Sequence, residues 1–184
     1  QELRDLAVKM KHNVNLKLLQ GKSITLIDDS IVRGTTSKKI VSLLKNAGVK
    51  KIVLASSAAI YGDNPTVPKI ETMFPEPKSP YAITKLDGEY YLELYRREGK
   101  IQSASLRFFN VFGPRQDPKG AYAAAVPIFI EKALRNEDIT IFGDGEATRD
   151  FIYVKDIVGA LAFAALNDIH GTFNAGYGGQ VTIK

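Results

Sequence analysis

Cysteine is absent from the 184 residues. That gap excludes disulfides, thiolate nucleophiles, C-x-x-C redox chemistry and cysteine-rich zinc sites together. A reducing, cytoplasmic home is therefore expected. Long hydrophobic runs are missing as well. The longest, Ile157 to Leu166 with one glycine inside it, falls far short of the ~20 residues needed to cross a bilayer. No signal-peptide pattern opens the chain, so no membrane partner is expected. Histidine occurs twice, as His12 and His170, with no metal-ligand spacing around either, and no metal site is expected from them. What is present is ordinary: 45% hydrophobic and 24% charged residues describe a folding chain, and the length suits one domain at roughly 150 residues per domain. The net charge of +5 divides unevenly, +6 over residues 1–50 and −1 over residues 51–184. The first residue is Gln1 rather than Met, and a fragment or processed product is expected. The basic N-terminal lysines Lys9, Lys11, Lys17 and Lys22 are not interleaved with aromatics, so no nucleic-acid partner is expected.

The chain alternates strand and helix signals. Ser23 to Ile27 is a β-branched apolar run that reads as a buried strand ending in Asp28-Asp29. A Gly34-Thr35-Thr36-Ser37 turn then opens a helix over Lys38 to Asn46, stopped by Gly48. A second strand, Lys51 to Ala55, completes a βαβ unit, which predicts two parallel strands. A polar, Pro-rich loop is predicted from Asp63 to Pro80. Ser79 as N-cap and Pro80 in the first turn start a helix reaching about Gly99. Its interior Gly88 weakens it by roughly 1 kcal/mol against Ala, which suggests a close approach at that point. Further strands are predicted at Ser103–Phe109, Ile139–Phe142, Phe151–Val154 and Thr172–Ala175. Helices are predicted at Val126–Asn136 and Ile157–Leu166, with a Gly/Pro loop running through Gly120.

Two constellations carry chemistry. In the first, a strand ending in two carboxylates is followed by a Gly-Thr-Thr-Ser turn at a helix start. Backbone N–H groups and hydroxyls there suit a phosphate, and the carboxylates suit ribose hydroxyls or Mg²⁺. The plain alternative is that Asp29 and Ser30 cap a turn and the threonines cap the helix. Gly21-Lys22-Ser23 imitates the end of a P-loop, but position 16 is Leu16 where a glycine is required, and a strand follows. In the second constellation, Tyr81 and Lys85 stand four apart at a helix start and share a face. An ammonium there favours phenolate and suits the tyrosine to act as a general base. Ser57 lies just past a predicted strand, where catalytic groups of open α/β sheets collect. A lone Y-x-x-x-K also occurs by chance on surface helices.

The string Ile24 to Ser37 (ITLIDDSIVRGTTS) resembles the phosphoribosylpyrophosphate (PRPP) signature of type I phosphoribosyltransferases, most of all that of glutamine PRPP amidotransferases. The resemblance covers roughly residues 1–50. It implies that Asp28 and Asp29 contact ribose hydroxyls, and that Ser30, Ile31, Val32, Arg33, Gly34, Thr35 and Thr36 cradle a 5′-phosphate; Mg²⁺ with a ribose phosphate at Asp28 and Asp29 is the alternative that the carboxylates themselves offer.

Four further segments, KIVLASSAAIYGD (51–63), SPYAITK (79–85), LRFFNVFGPRQ (106–116) and GDGEATRDFIYVKD (143–156), occur in order. Together they resemble extended short-chain dehydrogenase/reductases, particularly NAD-dependent sugar-nucleotide epimerases of the UDP-glucose 4-epimerase kind, over roughly residues 48–180. The resemblance implies NAD as cofactor and Tyr81 as the base at a sugar hydroxyl. It implies that Lys85 supports Tyr81 and bonds the nicotinamide ribose, and that Ser57 orients the substrate oxygen. It makes Asn110 and Arg149 ligands of the nucleotide-sugar diphosphate. The plain alternatives are a turn-forming Asn110 and a surface ion pair of Arg149 with Asp150. No G-x-G-x-x-G stands in the sequence, and Gly143-Asp144-Gly145 and Gly176-Tyr177-Gly178 lack the third glycine. The dinucleotide seat is therefore expected to be incomplete.

The expectation is one α/β domain: an open, Rossmann-like, mostly parallel sheet flanked by helices, incomplete relative to either family. A phosphoribosyltransferase-like segment (1–50) joins an epimerase-like segment (51–184) near Asn46 to Lys51. The expected partner is a nucleotide-sugar or ribose-phosphate small molecule, with a second copy of the chain as the protein partner. Three functions stand: an NAD-dependent epimerase or dehydratase impaired at its dinucleotide turn, a ribose-phosphate module, and a catalytically inactive chimera.

Overall fold

The computed structural model describes residues 23–26, 49–119 and 124–184. The strands in chain order are β1 (Ser23–Leu26), β2 (Lys51–Ser57), β3 (Gln102–Phe108), β4 (Asn110–Phe112), β5 (Thr148–Arg149), β6 (Phe151–Tyr153), β7 (Gly171–Ala175) and β8 (Val181–Thr182). The helices are α1 (Pro80–Arg97), α2 (Ala125–Leu134) and α3 (Val154–Leu166), with a single 3-10 turn over Ala58–Tyr61.

The main sheet runs β1-β2-β3-β7, with every pairing parallel. The expected parallel pairing of the first two strands is met, because β1 lies directly beside β2 with Ser23 opposite Lys51 and Leu26 opposite Leu54. β2 outruns its expected end at Ala55, because Ser56 and Ser57 continue the ladder opposite Arg107 and Phe108. A parallel strand is covered on both faces and reads as a continuous apolar run. Val53 joins Ala104, Leu106, Ile157 and Leu161 in the core under α3. Leu54 faces the other way, toward α1.

Helix α1 begins as its sequence dictates. The Ser79 hydroxyl accepts the Ala82 N–H at 3.1 Å, and Pro80 occupies the first turn. Gly88 has the reason that its position implied: a Cβ there would stand 3.0 Å from Leu54 Cδ2, so the glycine lets the helix settle on β2. The segment from Asp63 to Ser79 carries no helix or strand, as expected, yet it is tied down. Glu76 N–H bonds Ile60 O at 2.8 Å, and the Asn174 amide bonds Lys69 O at 2.9 Å.

Several expectations are corrected. Ile139 to Phe142 is not a strand. Its apolar residues are exposed, Phe142 to 92%, and Ile141 and Phe142 wall a cavity instead of joining a ladder. The predicted Phe151–Val154 strand stops at Tyr153, where its pairing with Phe112 ends, and α3 starts there, a turn earlier than Ile157. Gly113 makes this junction possible, since a Cβ would come within 2.4 Å of Val154 Cγ1. The Gly/Pro loop after β3 opens with the strand β4, parallel to β6. β5 and β8 form a short antiparallel ladder that the sequence did not announce. The predicted helix Lys38–Asn46 and the Asp28–Thr36 string lie outside the described residues.

Candidate active site at the carboxyl edge of the sheet

Groups at the carboxyl ends of parallel strands face a common crevice. Ser57 is the last residue of β2, and its hydroxyl accepts the Ala59 N–H at 3.2 Å, capping the 3-10 turn that follows. That turn packs on α1, with Ile60 and Tyr61 buried against Leu86. One residue before Leu86, the Lys85 ammonium donates to the Ala55 carbonyl at 3.1 Å, two residues before Ser57. Lys85 is 3% exposed, and its Nζ stands 5.4 Å from the centroid of the Tyr81 ring. Tyr81 is 45% exposed. The three residues singled out by spacing thus share one corner, with a buried cation behind a solvent-facing phenol. A cation held there stabilises negative charge developing on the phenol oxygen.

Asn110 and Arg149 meet elsewhere on the same edge. Asn110 is the first residue of β4 and not a turn residue, and its amide donates to Asp150 O at 2.9 Å. Asp150 does not serve as a simple surface counter-ion for Arg149, because its carboxylate accepts the N–H groups of Tyr177 and Gly178, each at 2.9 Å. Gly176 is required beside it, since a Cβ would lie 2.6 Å from Asp150 Oδ2. Arg149 donates to the Thr148 carbonyl at 2.8 Å.

Asn110 and Arg149 line two cavities together. One, about 740 Å³, has apolar walls from Val111, Phe112, Phe129, Ile141, Phe142 and Ile183, with Lys132 and Thr140 among its polar groups. The other, about 480 Å³, is bounded by Asn64, Lys69, Phe109, Asn174 and the loop 176–180. Phe109 links that cavity to the corner of Ser57, Tyr81 and Lys85, because it packs against the cluster of Ile60, Tyr61 and Leu86. An apolar slot with cationic and amide groups at its rim matches a ligand with a flat base and a charged centre.

Sequence reasoning missed the buried polar cluster behind this corner. Arg107 and Glu89, each 5% exposed, form an ion pair at 2.8 Å. Burial disfavours the charge on Arg107, but hydrogen bonding to Glu89 and its negative charge outweigh that cost and raise the guanidinium above its ordinary range. The available signal was an arginine inside the apolar run of β3 and a glutamate one helical turn after Lys85. Among the described residues, no group of three His, Asp or Glu could hold a metal ion, and no helix is long and apolar enough to cross a membrane.

A Methanocaldococcus jannaschii protein provisionally named a UDP-glucose 4-epimerase is 42% identical over 183 residues, covering 98% of this chain and 59% of the relative. The UDP-N-acetylglucosamine 4-epimerase of Methanobrevibacter ruminantium, solved with UDP-N-acetylmuramic acid, superposes with a TM-score of 0.84 at 36% identity, over 93% of this chain and 60% of that one. The UDP-glucose 4-epimerase of Thermus thermophilus, solved with NAD, superposes at 0.72 with 37% identity, over 80% of this chain and 49% of that one. The chain thus spans about three-fifths of the first two. The jannaschii alignment covers the join near Asn46 to Lys51, and so does the family profile, which matches residues 22–176. By that match, the chain belongs to the NAD dependent epimerase/dehydratase family.

Proposed function

We propose that this chain carries the proton-transfer and substrate-binding part of a nucleotide-sugar epimerase acting on a UDP-hexose. The observation that carries the reading is the Lys85 ammonium, fixed between the Ala55 carbonyl and the Tyr81 ring at the carboxyl edge of a parallel sheet. Tyr81 takes the proton from a sugar hydroxyl and later returns it. Lys85 stabilises the charge that develops on the phenol oxygen, and the Ser57 hydroxyl at the end of β2 orients the sugar oxygen. Asn110 and Arg149 hold the diphosphate, leaving the apolar cavity of about 740 Å³ for the base.

The donor set fits a nicotinamide ribose. An ammonium and two hydroxyls converge where open α/β sheets bind dinucleotides, and Lys85 and Tyr81 are the residues that would hold it. NAD, when bound, supplies the hydride acceptor for the sugar C–H. The G-x-G-x-x-G turn does not occur within these 184 residues.

A second reading assigns a ribose phosphate, with Mg²⁺ at Asp28 and Asp29, to the Asp28–Thr36 string. Its support is the sequence of that string and the placement of β1, which ends at Leu26 beside Leu54 on the edge that carries Ser57. Calorimetry with NAD⁺, UDP, UDP-glucose and ribose 5-phosphate separates the readings. UDP binding that disappears in Arg149→Ala supports the epimerase site, and ribose 5-phosphate binding that disappears in Asp29→Ala supports the other. Heat from none of them leaves the inert chimera.

A further inference from the structure

Several of the buried polar groups that this chemistry leaves unused cluster on one face of the sheet. Beneath α1, Ser56, Tyr61, Glu89 and Arg107 are each 5% exposed or less. Arg107 Nη2 and Nε donate to the Glu89 carboxylate at 2.8 and 3.1 Å, and the Ser56 hydroxyl donates to the same carboxylate. Arg107 Nη1 donates to the Tyr61 hydroxyl at 2.8 Å, and that hydroxyl donates to Asn174 Oδ1 at 2.7 Å.

Stability alone gives little reason for such a cluster, because well-packed apolar residues replace a buried ion pair at no net loss in many proteins. Its placement gives a better one. Glu89 lies one helical turn beyond Lys85 and two beyond Tyr81, and Ser56 immediately precedes Ser57. Helix α1 is therefore tethered to β2 at two successive levels: Lys85 to the Ala55 carbonyl, and Glu89 to Ser56. A single tether leaves a helix free to slide or roll, whereas two a turn apart fix both motions. Arg107 completes the second tether from β3.

We propose that Glu89 and Arg107 are positioning residues, whose buried ion pair sets the register of α1 on β2 and thereby the placement of Tyr81 relative to Ser57. The proposal rests on the epimerase reading for its kinetic consequence, but its geometric part stands on the tethers alone. Misplacing a reacting group by about 1 Å costs up to ~100-fold in rate.

The test is the double variant Glu89→Gln/Arg107→Met, which removes both charges and strands neither. Its thermal melt, its kcat and KM for UDP-glucose with added NAD⁺, and its tyrosine 13Cζ NMR spectrum are compared with the parent, the Tyr81 resonance being assigned through Tyr81→Phe. The expected result is a cooperative melt, kcat lower by roughly 10- to 100-fold with KM changed by less than about threefold, and a displaced Tyr81 resonance. A folded double variant with parental kcat, a rise in KM at parental kcat, or an unmoved Tyr81 resonance overturns the proposal. Should the double variant not fold, Arg107→Lys, which keeps the charge without the fork, is judged by the same readouts. A parent that does not interconvert UDP-sugars refutes the epimerase reading, and the Tyr81 resonance then decides the positioning role by itself.

Discussion

The two halves of the site are built in opposite ways. The corner of Ser57, Tyr81 and Lys85 stands on long elements, a seven-residue strand and an eighteen-residue helix, backed by charges almost fully removed from water. The region of Asn110 and Arg149 stands on strands of three and two residues, with both side chains exposed beside open cavities. The proposed roles match the difference. Proton transfer, proposed for the first half, tolerates little misplacement and needs groups held before substrate arrives. Diphosphate binding, proposed for the second, tolerates adjustment, with the ligand itself supplying much of the order. On this proposal mutations sort by half: stability losses behind the Tyr81 corner, affinity losses at the cavity rim.

The largest effect is expected from Arg107→Ala. It leaves the Glu89 carboxylate buried without its partner, and losses of about 3–5 kcal/mol are typical of such a break. Urea denaturation measures it, and a loss below about 1 kcal/mol would erase the contrast between the halves. Tyr81→Phe should leave the urea midpoint within about 0.5 kcal/mol of the parent, because the ring is 45% exposed. The same change should cut turnover roughly 10²- to 10⁴-fold. Arg149→Ala should weaken UDP binding by about 10- to 100-fold, from a charge-assisted hydrogen bond of about 1.5–3 kcal/mol. Because the side chain is exposed and bonded to its neighbour's carbonyl, its melting temperature should hold.

The smallest effect concerns Glu93 on the outer face of α1. Its hydrogen bond to Arg96 comes first among the influences on it, burial opposes, and Arg97 adds to the pull, so its carboxyl falls from 4.5 to about 2. A carboxyl depressed by folding stabilises the folded state above its unfolded value and loses that contribution as pH falls through its folded value. The benefit of this pair is thus intact above about pH 4.5 and gone below about pH 2. Solvent screening limits it to roughly 0.5 kcal/mol, so Glu93→Gln should shift the urea midpoint slightly at pH 7 and not at all near pH 2.

Much of the fold was legible because its signals are local. Ser79-Pro80 marks the start of α1 without reference to anything distant, and Gly88 announced a close approach that Leu54 supplies. The parallel pairing of β1 and β2 followed from the length and character of their connection. What escaped depends on distant partners. Ile139 to Phe142 has the composition of a strand but no strand beside it among the described residues, while Asn110 to Phe112 looks like a loop until β6 is placed next to it. Glu89 and Arg107 are 18 positions apart, and nothing in either local segment shows that one neutralises the other. That Ser57, Tyr81 and Lys85 lie near one another was legible because their positions mark one strand end and one helix face. The Asp28–Thr36 string, equally distinct as sequence, lies outside the described residues, and the family match that begins at residue 22 runs across it.

The most direct test is a one-dimensional proton NMR time course of UDP-glucose with the purified chain and added NAD⁺, followed at the sugar anomeric signals. The account predicts that UDP-galactose accumulates to a fixed ratio with the parent protein and does not form with Tyr81→Phe. No UDP-galactose from the parent at saturating NAD⁺, or formation at the same rate by Tyr81→Phe, would contradict it.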